Sequence, residues 1–85
     1  MQDFKKIFVW QKAFELSKEI YNMTSKFPKE EIYGLTSQIR RASVSISSNI
    51  AEGSGRKTKK DFCGFLYYAY GSTKELESQL LIVFS

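Results

Sequence analysis

The sequence predicts an all-α fold: an antiparallel up-and-down bundle of three long helices in one domain spanning residues 1–85. Apolar residues recur three and four positions apart through most of the chain, no useful length alternates as a strand would, and one proline and five glycines are the only strong breakers. A domain of 85 residues hides only roughly 60 to 65% of its unfolded surface, so its stability margin is thin. Its 42% hydrophobic content, with 15% aromatics, still places it among folded proteins and away from disorder.

The first helix is expected over about residues 7–26. Val9, Ala13, Leu16, Ile20, Met23 and Phe27 alternate four and three apart as a seam, and Trp10, Phe14, Ser17, Tyr21 and Thr24 form a flanking stripe. Trp10 and Phe14 therefore read as core or interface residues; a base-stacking role would need exposure. Phe27-Pro28 ends the helix, because proline cannot continue the ladder and disfavours helical angles in the residue before it. A short polar turn at Lys29-Glu30-Glu31 and the break at Gly34 leave room only for a neighbouring, roughly antiparallel second helix.

That second helix is expected over about residues 35–53. Leu35, Ile39, Ala42, Ile46 and Ile50 line one face, Val44 and Ala51 mark another, and the small residues between them suit packing on two sides. Arg40 and Arg41 occupy the remaining perimeter. Gly53 and Gly55 are expected to stop the helix and hand over to a basic run, Arg56-Lys57-Thr58-Lys59-Lys60.

Thr58, with Asp61 three residues on, predicts the N-cap of a third helix over about residues 58–84. Phe62, Leu66, Ala69, Thr73, Leu76, Leu80 and Val83 form its seam. A second stripe of Cys63, Tyr67, Tyr70, Leu81 and Phe84 makes it apolar over more than half its circumference. Such a helix asks for more than one neighbour, so Tyr67, Tyr70, Leu81 and Phe84 are the candidate oligomer interface. Leu80 to Ser85 carries no C-cap and no charged last turn, the pattern of a helix that continues into a turn and another helix, or whose gap another chain fills.

The chemistry available is narrow. There is no histidine, so a metal site would need carboxylates alone, and the single Cys63 excludes an internal disulfide. Nothing activates Glu52 as a base or Cys63 as a nucleophile, and Cys63 reads as a core or interface residue. Asn49 and Glu52 read as partners for backbone or neighbouring hydroxyl groups. Gly53-x-Gly55 lacks the spacing of a phosphate-cradling loop, and no strand precedes it. No catalytic residue, metal or cofactor is therefore assigned. The chain has no secretory signal pattern and no run long enough to span a membrane, which makes the cytoplasm the default setting.

The net charge of +4 is only a weak lean toward anionic partners. Its distribution says more. Arg56, Lys57, Lys59 and Lys60 cluster where a helix begins, so their charge and the free N–H groups attract phosphate together. Arg40 and Arg41 lie roughly 15 to 20 Å back along the preceding helix. These six residues are the candidate nucleic-acid-binding set, with a solvated surface as the plain alternative.

The chain resembles a small family of four-helix bundle proteins first noticed as open reading frames in intervening sequences of bacterial large-subunit ribosomal RNA genes. The residues that carry the resemblance are Trp10-Gln11-Lys12-Ala13, Phe27-Pro28, the run from Tyr33 to Ala42, Ser45-Ile46, Asn49-Ile50-Ala51-Glu52-Gly53, Phe65-Leu66, Gly71-Ser72 and Glu75. Ser47 stands where the family usually places a proline, and the chain ends where the family turns into its fourth helix. The resemblance implies a homo-oligomer, in several relatives a ring of five. Relatives include the accessory protein of diversity-generating retroelements, a basic pentameric barrel that binds a reverse transcriptase and nucleic acid. For most members the biochemical role is unknown. Two functions are thus expected: a non-enzymatic oligomer that binds RNA or DNA backbones through its basic hinge, or a protein-interaction scaffold with no nucleic-acid role.

Overall fold

A computed structural model describes residues 3–31 and 33–85. Among them lie three α-helices and no strand: α1 (Phe8–Thr24), α2 (Leu35–Ser54) and α3 (Lys59–Val83). Short 3-10 turns at Phe4–Lys6 and Lys29–Glu31 precede α1 and α2. The helices run up, down and up, with α2 in the middle. It packs against α1 on one side and α3 on the other, whereas the backbones of α1 and α3 nowhere approach within 8 Å. The molecule is accordingly elongated, 43 × 19 × 19 Å, with a radius of gyration of 13.9 Å. A compact chain of this length would have about 12 Å.

The core forms where α2 presents a surface to both neighbours. Ile39, Ala42, Ile46 and Ile50 of α2 are buried against Ala13 and Ile20 of α1 and Ala69 and Leu76 of α3. Small polar residues do the rest. Ser17 Oγ donates to the Ser43 carbonyl across the α1–α2 interface at 2.9 Å. Ser45 and Ser72 share a hydrogen bond across the α2–α3 interface at 2.8 Å. Asn49 turns inward along its own helix, donating to the Ser45 carbonyl at 2.8 Å and to its hydroxyl at 3.0 Å. α2 passes through Ser47 as one uninterrupted helix, with the Ser47 hydroxyl bonded to the Val44 carbonyl at 3.2 Å.

Four expectations are corrected. On α1 the predicted seam holds from Ala13 to Phe27, with Ala13 and Ile20 buried and Leu16, Met23 and Phe27 half-buried against the core, but Val9 is exposed and the flanking stripe contributes buried Thr24 with Trp10 and Ser17 half-buried. The reason is that α1 has a single helical neighbour, and Ser17 and Thr24 satisfy their hydroxyls toward it or toward their own turn. On α3 the line runs Phe62, Phe65, Ala69, Ser72, Leu76, Gln79 and Val83, leaving Leu66 and Thr73 outside. Cys63 is therefore solvent-exposed, which removes the core half of its reading and leaves the interface half. α2 stops at Gly55, within the expected stretch, but Gly53 is not the stop. It lies buried inside the last turn, where an added Cβ would sit 2.6 Å from Phe65 Cβ and 2.9 Å from Phe62 Cδ1. Close helix approach, and not a left-handed cap, is what requires glycine there, and Gly55 beyond it keeps ordinary right-handed angles.

Candidate nucleic-acid interface

The hinge from Gly55 to Thr58 is built by two local devices. The Gly55 and Arg56 amides bond back to the Glu52 and Gly53 carbonyls at 3.2 and 3.0 Å, closing α2 without a left-handed residue. Thr58 then opens α3: its backbone is extended and its hydroxyl accepts from the Asp61 amide at 3.1 Å. Between these devices the chain presents four cations in five residues at one end of the rod.

Each cation has a distinct setting. Arg56 lies with its guanidinium carbon 4.6 Å above the Phe65 ring and 3.6 Å, by its nearest nitrogen, from the Glu52 carboxylate. That ion pair is half exposed and contributes no more than about 1 kcal/mol. Lys57, Lys59 and Lys60 are exposed, and no carboxylate among the described residues pairs with them within 4.0 Å. Lys59 and Lys60 stand in the first turn of α3, where the helix dipole adds to their positive potential.

The two earlier arginines lie elsewhere. Arg40 faces α1: its Nε donates to Thr24 Oγ1 at 2.8 Å and its guanidinium covers the Tyr21 ring at 4.7 Å. It ties α2 to α1 and is already engaged within the fold. Arg41 is exposed. Both belong to the first half of α2, and the hinge follows its last turn, so the structure gathers Arg56, Lys57, Lys59 and Lys60 into one patch and leaves Arg40 and Arg41 apart from it.

Sequence reasoning missed an aromatic wall beside this patch. Arg56, Lys60, Asp61, Gly64, Phe65 and Tyr68 line an open groove of about 400 Å³. Phe65 and Tyr68 meet edge to face, 5.8 Å between centroids and 80° between planes. The signal that could have found it is the spacing Lys60-Gly64-Tyr68, which falls on one line of α3.

The predicted interface residues are all open to solvent. Tyr67 is 76% exposed, Tyr70 60%, Leu81 68% and Phe84 66%. With Cys63 and Leu66, Tyr67 and Tyr70 line a second groove, almost wholly apolar, of about 380 Å³. Phe14 is also exposed in part, stacked on half-buried Trp10 at 5.0 Å.

No curated protein sequence matches the chain. The family described as 23S rRNA-intervening sequence protein matches residues 5–85, which takes in all three helices, the hinge and both grooves. The chain belongs to the 23S rRNA-intervening sequence protein family.

Proposed function

We propose that this chain is a non-enzymatic subunit of a homo-oligomer whose α2–α3 hinge binds the phosphate backbone of RNA or DNA without reading its sequence. The observation that carries the proposal is the patch of Arg56, Lys57, Lys59 and Lys60, whose three lysines are exposed and unpaired among the described residues. The family description names no ligand, so the proposal rests on charge and position. One copy offers a modest field. Repetition around a closed ring, five-fold in several relatives by the resemblance, multiplies it.

Surface area supports the assembly half of the proposal. A folded monomer of 9.8 kDa would expose roughly 5200 Å², and this chain exposes 6255 Å². The surplus, on the order of 1000 Å² per copy, is comparable to what each partner of a stable interface buries. A cytoplasmic setting is part of the same proposal; no helix among the described residues is long and apolar enough to cross a membrane.

The test is titration of the chain with RNA and DNA at several salt concentrations. Four backbone contacts per copy predict a log–log slope of roughly −2.8 on a single strand and roughly −3.6 on duplex DNA for each copy engaged. Replacing Arg56, Lys57, Lys59 and Lys60 together with glutamate is expected to abolish binding while leaving assembly intact. Affinity that ignores both salt and charge reversal overturns the proposal. The Cys63, Leu66, Tyr67 and Tyr70 groove favours a second reading, a scaffold for another protein. In that case the four-glutamate variant assembles and captures its partner as before, and polynucleotides have no effect.

A further inference from the structure

We infer that the groove beside the hinge seats an unpaired nucleobase against Tyr68, so that the site selects single-stranded over duplex polynucleotide. The inference rests on the backbone-binding proposal above and adds the class of strand. Of the two aromatic rings in the groove, Phe65 already has the Arg56 guanidinium over its face at 4.6 Å. Tyr68 is 65% exposed, and Phe65 braces it edge to face. One ring is engaged and the other is held ready.

The glycine beside it supplies the room. Gly64 lies one turn before Tyr68, and a Cβ built there would meet nothing within 4 Å. Lys60 lies one turn before Gly64. Ammonium, gap and phenol therefore follow each other along one line of α3, over roughly 12 Å of helix. A strand whose phosphates lie on Lys57, Lys59 and Lys60 can turn one base into the gap and against the tyrosine ring. Charge favours the phosphates, and the planar face favours the base.

A duplex can use only half of this. Its base faces are stacked on one another and its edges are paired, so it can reach the lysines but not the ring. Asp61, which also lines the groove, repels phosphate and so leaves the groove to the uncharged base. The aromatic component is indifferent to base identity, because every base presents a π-face.

The experiment compares a labelled mixed-sequence single strand with the same strand annealed to its complement, by anisotropy, against the full chain. The expected result is tighter binding of the single strand. Tyr68→Ala should lose roughly 5- to 150-fold on the single strand with little change on the duplex, and Tyr68→Phe should retain the preference. Gly64→Leu, which fills the gap and leaves the ring in place, should mimic Tyr68→Ala. Equal affinity of the unaltered chain for both forms, or a Tyr68→Ala loss shared equally between them, overturns the inference while backbone binding stands. Absence of binding to either form sinks both. A change in subunit number on Tyr68→Ala, read by light scattering, would make the groove a subunit contact and likewise overturn the inference.

Discussion

At Gly53 the distance between two helices is decided by a missing methyl group. Alanine there gains up to about 1 kcal/mol of helix propensity, but its Cβ would stand 2.6 Å from Phe65 Cβ, a backbone-fixed atom that cannot swing away. Overpacking of this kind costs about 1–3 kcal/mol. Gly53→Ala is therefore expected to destabilise the fold, with a fall in melting temperature of several degrees. Gly71→Ala is the control, because nothing lies within 4 Å of its added Cβ. That variant is expected to be neutral or to stabilise by about 0.4–1 kcal/mol, and thermal denaturation of the two side by side checks both. From sequence alone Gly53 looked like a helix stop, since a glycine near a helix end serves equally as cap or as contact point. Only the partner helix distinguishes them. Thr58 was legible for the opposite reason: an N-cap is local, and its hydroxyl needs nothing beyond the next three residues. Arg40 shows the same limit as Gly53. Its charge could be read, but not the Thr24 and Tyr21 that hold it.

Among the elements, α3 departs furthest from its predicted seam, and the cause is its excess of apolar residues. With more than half the circumference hydrophobic, two adjacent four-three alternations fit almost equally well, and periodicity cannot choose between them. The position of α2 chooses: Ala69, Leu76 and Gln79 turn inward, and Cys63, Tyr67, Tyr70 and Leu81 remain outside. Phe65 and Tyr68 went unassigned as a pair for the same reason. The outer face gives an element-scale prediction. Leu81→Asp and Phe84→Asp, at positions 68% and 66% exposed, should leave the helical content of the subunit unchanged and disperse its assembly. Size-exclusion chromatography with light scattering reads the outcome, and an unaltered oligomer would place the interface elsewhere.

For the molecule as a whole, periodicity alone carried the all-α class, and the family followed from motifs spread over most of the chain. Neither depends on which partner each side chain meets. The up-and-down order and a second helix packed on two sides were legible too, from the short connection before α2 and its small residues; what was not legible is that α1 and α3 stay apart, because each carries a seam that would serve equally well against the other. In the structure their backbones stay more than 8 Å apart and α2 lies between them, with Phe27 and Phe84, just beyond their ends, meeting edge to face at 6.4 Å between centroids. The middle helix is thus the spine of the molecule, and the two outer ones are expected to open separately from it. Amides of α2 around Ile39, Ala42, Ser43 and Ile46 should resist hydrogen exchange longest, and those of α1, held by the buried Ala13, Ile20 and Thr24, should exchange sooner. Equal protection of α1 and α2 would mean that the three helices open as one unit. If the outer helices do open independently, the α1 side could open and reclose while α3 and the lysines at its start stay seated on the spine.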